Sequence, residues 1–413
     1  MSAEVILDVW LTNPWGERQR AGRLVVAAPD ARGALDGAYR YAGEYLRAAD
    51  GFDLDPVNLP RTAGLHAAND PRSGLHGVFQ DALPDAWGKR LLARLHQLPR
   101  AAQRPPQLLS LLGAKTLGAL AFALPDQTPD PHQGGVNLDR LDALINAAKR
   151  IDQPVAEHAL AFDEAMALLL RAGSSAGGAR PKALVADAGQ EYIAKFAAPG
   201  DRFDVVALEG ASMALARAAG LEVPTTRVVG VDAEKALLVQ RFDLSPTHGR
   251  YHMLSFQSLM GVGDGWYDFN YSDLARPLRR HSYRPREDLT AFFRQAVFNA
   301  AIGNTDDHLK NFSLLHDERG WRLTPAYDLL PNIAGNLEHV LSFGPTVGWP
   351  TREQLMALGR QVGLANEGAA QLLAEVLKVV AEWRLFFANH GVPEQDCERL
   401  APDIETRLQN LKK

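Results

Sequence analysis

Residues 303–315 read GNTDDHLKNFSLL. Two aspartates, a histidine, a lysine and two asparagines stand there between the apolar run FFRQAVFNAAI and the apolar FSLL that closes the stretch. A chain that sets so many polar groups beside its core must give each a partner or a task, because burying them unpaired is costly. A turn whose Asn and Asp side chains hold their own backbone is one solution. A chemical site is the other. Asp306 and Asn311 are five apart, the D-x-x-x-x-N spacing of a kinase catalytic loop. In that role the aspartate accepts the proton of an attacking hydroxyl and the asparagine offers an oxygen to a metal. Asp307 is one residue out of register for this pairing. Lys310 can neutralise charge on a moving phosphoryl group, while Asn304 and His308 shape the loop by hydrogen bonds.

The rest of the chain supplies a context for that loop. EVILDVWL and GRLVVAA alternate as strands, and a helical period follows Pro84 in DALPDAWGKRLLARLHQL, residues 81–98. LGALAFAL returns to strand character, so residues 1–128 form a candidate α+β unit. DQTPDPHQGG, rich in Pro, Gly and Asp, is the linker candidate. Two helices then lead to an ordered series: the turn RAGSSAGGARPK, the strands KALVAD and EYIAKF, the helix VVALEGASMALARAAGL, and the strands TTRVVGV and KALLVQRFD. The tail from TREQLMALGRQVGL onward is helical, and Thr351 with Gln354 makes a capping box.

Composition narrows the classes. The formal charge is -5 over 413 residues, so no overall positive field recruits nucleic acid. The one cysteine, Cys397, excludes an intrachain disulfide scaffold and a cysteine-rich metal site. No run of 18 apolar residues is present, and the amino terminus reads as a strand and not a signal peptide. A cytoplasmic enzyme or regulator is the expectation.

Three further pieces bear on phosphoryl chemistry. Ser174, Ser175, Ala176, Gly177 and Gly178 form a small-residue turn whose backbone amides can approach an anion. It is not a P-loop, since GxxxxGK[ST] is absent. Taken alone, such a glycine turn is more often only a turn. Lys195 lies inside the short apolar strand EYIAKF, where it must snorkel outward or meet an anion. Glu209, fourteen residues on in the predicted helix, has the spacing to pair with it, although a solvated helix position reads equally well. Asp328 follows an apolar strand in LTPAYDLLPN, where a kinase holds the metal-binding aspartate that follows its catalytic loop; a helix cap or turn aspartate before Pro331 is the alternative. Asn311 and Asp328 are a sufficient protein share for Mg2+, which phosphate oxygens and water complete. Backbone groups around Gln240–Phe242 can hold an adenine edge, with Phe242 as an apolar wall.

On SSAGGARPKA, YIAKF, VQRFD, GNTDDHLKN and PAYDLLP, together with GVFQDALPDAWGKRLL and LGALAF nearer the start, the chain resembles the HipA family of bacterial serine/threonine kinases. That family supplies toxins of toxin–antitoxin pairs. The resemblance spans about residues 3–395. It implies ATP and Mg2+ as cofactors, Lys195 as the ATP-phosphate lysine, Asp306 as the catalytic base and Asn311 with Asp328 as the magnesium pair. Gln240 and Phe242 fall where the family holds adenine, Gln240 replacing a glutamate of some members. Ser175, by register, is the autophosphorylated serine of the glycine-rich loop, with Ser174 beside it leaving the assignment open. A small helix-turn-helix antitoxin, HipB-like, is the implied partner and the reader of operator DNA. A protein substrate, in some members an aminoacyl-tRNA synthetase, is implied too.

The expected fold class is α+β: a two-lobed protein-kinase-like fold with an additional amino-terminal α+β subdomain (1–128), an N-lobe-like region (129–243) and a largely helical carboxy-terminal lobe (244–413). The rivals are a small-molecule kinase of related fold, a pseudokinase serving as a binding or co-repressor subunit, and a metal-dependent phosphohydrolase built on Asp306, Asp307, His308 and Asp328.

Overall fold

A computed structural model describes residues 4–130, 134–151, 164–173, 180–231, 234–263, 268–344 and 348–413. Its strands fall into three sheets. The first runs β4-β3-β2-β1-β5, with β1 Val5–Thr12, β2 Arg18–Val26, β3 Gly37–Tyr41, β4 His66–Ala67 and β5 Leu120–Ala123. Alternation along β1 buries Leu7, Val9 and Leu11 on one side, as a half-covered antiparallel strand requires. The second sheet runs β6-β7-β8-β10-β9, with β6 Val136–Asn137, β7 Lys182–Asp187, β8 Gln190–Phe196, β9 Thr226–Val231 and β10 Glu234–Gln240. The third is β11 His252–Ser255, β12 Ser313–Asp317 and β13 Gly320–Leu323.

Register in the second sheet fixes which residues share a face. Lys182 pairs with Lys195, and Lys195 with Leu237, so these three point to one side. Ala183, Val185, Ala194, Phe196, Ala236 and Leu238 point to the other and form one buried core with the Leu141–Ile151 and Glu164–Gly173 helices. Trp87 and Leu91 of the Ala86–Leu95 helix complete that core. This helix begins later than the 81–98 period predicts. Asp85 is its N-cap, its side chain accepting from the Trp87 N–H at 3.1 Å. The Val205–Ala218 helix covers the lysine face through contacts with β9 and β10.

The remaining lobe is mainly helical. The Pro285–Ile302 helix is buried on nearly every side along its second half, among the Tyr271–His281, Asn366–Val380 and Glu394–Lys412 helices. It ends at Gly303, whose φ of +76° makes the left-handed cap that glycine favours. The capping box at Thr351 is present, the Thr351 N–H donating to Gln354 Oε1 at 2.8 Å.

The amino-terminal unit is fastened to both lobes by buried polar contacts. Asp81 accepts from the Ser255 N–H and hydroxyl at 2.8 and 2.7 Å, and Asn58 donates to Ser258 O at 2.9 Å. Past β10, Arg250 donates to the carbonyls of Ala114, Thr116 and Gly118 at 3.0, 3.3 and 3.1 Å. The Gly118 N–H donates to Asp243 Oδ2 at 2.7 Å. Arg241 binds the same aspartate and also Glu191 Oε2 at 2.9 Å. Among the described residues, no helix is long and apolar enough to cross a membrane.

Candidate active site

Lys195 neither snorkels nor stays unpaired. Its Nζ donates to Glu209 Oε1 at 2.5 Å and also to Asp328 Oδ1. β8 carries the lysine, the Val205–Ala218 helix carries Glu209, and the irregular stretch after β13 carries Asp328. Asp328 adopts φ +55°, a left-handed conformation that a non-glycine residue holds at a cost of roughly 1–3 kcal/mol. The surrounding protein disfavours its charge, but Lys195 and Lys182 outweigh that and hold its carboxyl well below the ordinary range. Burial opposes the charge on Lys195 too, and Asp328 and Glu209 reverse that and raise it. Among the described residues two of its three ammonium donors are engaged, which leaves one for another oxygen.

The loop at 303–311 lies alongside. Asp306 is exposed, its side chain 79% accessible, with His308 Nε2 3.9 Å away. Although the side chain is exposed, the low-dielectric protein beneath the loop still disfavours its charge and raises its carboxyl above the usual value, His308 opposes, and the charges of Asp328 and Asp307 add to the rise. Asn311 is buried and its Nδ2 donates to the Asp306 carbonyl at 2.7 Å. That bond leaves Oδ1 as the atom of the amide able to meet a cation. Asn311 Oδ1 and the ionised Asp328 carboxylate are each hard oxygens, the donor type that Mg2+ takes. No group of three or more His, Cys, Asp or Glu able to hold a metal occurs among the described residues. Lys310 is exposed, and its carbonyl accepts from Tyr327 Oη at 2.7 Å.

Other expected positions fare differently. Phe242 stacks on Tyr327 with centroids 5.8 Å apart. The Gln240 side chain donates to Gln190 Oε1 at 2.8 Å on the surface. The Gln240 and Arg241 N–H groups already donate to Thr225 O and Glu191 O. A purine edge would therefore meet carbonyls or the Phe242 amide. Ser174, Ser175, Ala176, Gly177 and Gly178 lie outside the described residues.

Two site-facing residues escaped the sequence reading. Lys182, buried and opposite Lys195, has its charge disfavoured by burial and by that neighbour, with Asp328 and Asp85 opposing. Asp85, besides capping its helix, carries a buried Oδ2 with no hydrogen-bond partner among the described residues. The only sequence signal for Lys182 is a lysine at the head of an apolar strand, and Pro181 before it makes that read as a turn.

A β-rich lobe bearing a lysine–glutamate pair, a helical lobe bearing an aspartate–asparagine loop, and an extra amino-terminal sheet define a two-lobed, kinase-like fold. Comparison with known proteins narrows the class. The model of the HipA-like C-terminal domain matches residues 174–383, and that of the HipA N-terminal domain matches residues 7–123. The chain belongs to the HipA family. Two Sinorhizobium fredii proteins named as kinases are similar to it. Y4mE is 30% identical over 311 residues, 68% of this chain and 70% of that one. Y4dM is 38% identical over 189 residues, 41% of this chain and 44% of its own length. Among solved structures, the Shewanella oneidensis complex of HipA, HipB and operator DNA matches with a TM-score of 0.68 at 20% identity, covering 97% of this chain and 95% of that one. At that identity the likeness speaks for the fold.

Proposed function

We propose that this chain is an ATP-dependent serine/threonine protein kinase that acts as a growth-inhibiting toxin in the cytoplasm. The observation that carries the reading is Lys195 bridging Glu209 and Asp328, with the Asp306–Asn311 loop tied to the residue before Asp328 by the Tyr327 hydroxyl on the Lys310 carbonyl. ATP with Mg2+ supplies the transferable phosphoryl group and neutralises its charge. Asn311 Oδ1 and Asp328 would hold the metal, and Lys195 would offer its remaining donor to phosphate oxygens. Asp306 orients a serine or threonine hydroxyl and removes its proton, a task suited to an exposed carboxylate on a loop fixed by its neighbours. Lys310 offsets charge on the group in transit. Catalysis here is positioning and charge stabilisation.

Ser175 or Ser174 is the candidate autophosphorylation site, and units 1–128, 129-243 and 244-413 are the proposed domains. A small DNA-binding antitoxin is the partner in this reading, supported by the Shewanella complex, which contains HipB and operator DNA. The test is Asp306→Ala. The variant should bind ATP as the parent does and incorporate no label from γ-labelled ATP; undiminished incorporation overturns the assignment.

A further inference from the structure

Thr305 and Asp307 flank Asp306, and both are tied to residues 332–341. The Val340 N–H donates to Thr305 O at 3.2 Å, and Thr305 Oγ1 lies 3.4 Å from Asn332 Oδ1. Asp307 is fully buried. Its Oδ1 accepts from the N–H groups of Val340 and Leu341 at 2.9 and 3.3 Å. Its Oδ2 accepts from Tyr271 Oη at 2.5 Å and lies 2.7 Å from His339 Nδ1. Four donors around one carboxylate over-determine its place, and the residue before it has little freedom left.

The line of contacts continues through the imidazole. Arg407 Nη1, on the Glu394–Lys412 helix, lies 3.1 Å from His339 Nε2. A guanidinium only donates, so Nε2 accepts, and the ring proton is on Nδ1, where it is donated to Asp307. Arg407 is itself 1% exposed, paired with Asp403 at 2.6 Å and set 4.9 Å from the Trp349 ring centroid. The same Asp403–Arg407 pair fills the open side of Gly303, where a β-carbon would lie 2.6 Å from Asp403 Oδ2 and 2.9 Å from Arg407 Nε. The carboxy-terminal helix thus touches the loop at its first residue and, through one histidine, at Asp307.

We infer that His339 and Arg407 are positioning residues for the phosphoryl-transfer loop: the carboxy-terminal helix sets Asp306 through the Arg407–His339–Asp307 line. This rests on the kinase reading, in which Asp306 meets the hydroxyl. A fault here should lower the rate of transfer far more than ATP affinity, because Lys195 and Phe242 lie on other elements and only Asn311 shares the loop.

The test uses the full chain and its labelling of itself from γ-labelled ATP. His339→Leu should cut the maximal rate tenfold or more with a much smaller change in the KM for ATP. His339→Asn keeps a donor near the Nδ1 position and should recover most of the rate. His339→Gln keeps a polar atom only near Nε2 and should behave as the leucine variant does. Equal rates for the asparagine and glutamine variants, or a parental rate for leucine, overturn the inference. If the leucine protein does not fold, the asparagine–glutamine comparison alone decides. Asp306→Ala in parallel separates the two readings. An inactive Asp306→Ala beside fully active His339 variants sinks only the positioning line, whereas an active Asp306→Ala sinks the base assignment beneath it.

Discussion

Gly303 is the residue on which the loop's conformation turns most directly. It sits in left-handed backbone, and its missing side chain is where Asp403 and Arg407 pack. Gly303→Ala should cost about 1–3 kcal/mol from backbone alone, seen as a lower melting temperature, and should slow transfer as well. Single residues also show what sequence could reveal. Lys195 was legible because a lysine in a short apolar strand has few fates. Asp306 and Asn311 were legible because their spacing is chemical. Asp307 is one residue out of register for the D-x-x-x-x-N pairing, and its structural part depends on His339, thirty-two residues later. Such a contact leaves no local pattern. Lys182 was hidden by the proline before it, and its nearness to Lys195 follows only from the register of β7 on β8.

At the scale of elements, long periodic helices and alternating strands were readable, and short pieces were not. β3 and β11 have five and four residues and no turn signature strong enough to mark them. The Tyr271–His281 helix carries Pro277 inside it, a residue that argues against helix when read in isolation. The Ala86–Leu95 helix belongs by sequence position with the first sheet, yet Trp87 and Leu91 are buried against the second. Trp87→Ala should therefore cost about 3–5 kcal/mol and act on the lysine-bearing lobe. Amide exchange is expected to quicken in β7, β8 and β10, with β1 to β3 little changed; the reverse pattern would place the helix with the wrong sheet.

The whole molecule carries buried imidazoles that bear on its response to acid. Burial lowers His76, His252 and His316 to about 4 each, and His66, Leu54 O and Asp317 modify those values in turn. The unfolded chain takes up protons on these rings as pH falls through about 6.5, before the folded chain does. Stability is therefore lost from that point down towards 4. Buried carboxyls such as Asp55 and Asp81 are raised by burial and work in the opposite sense, their stabilisation fading as pH rises through their raised values. Comparing variants isolates the histidines. A His76→Leu, His252→Gln chain should lose less melting temperature between pH 7 and 5 than its parent, and an equal slope would show that these rings do not matter. His252→Gln keeps a donor for Leu54 O, which the ring reaches from Nε2 at 2.9 Å.

Two separate family models cover 7–123 and 174–383, as if the pieces could be traded. The Arg250 guanidinium contradicts that modularity, since its pocket is lined by carbonyls of residues 114, 116 and 118. Severed from them, the larger piece would bare a cation built to be enclosed, and the smaller would bare the carbonyl ring that encloses it. Swapping front halves between relatives should thus yield insoluble hybrids unless the 113–118 turn travels with the arginine it embraces.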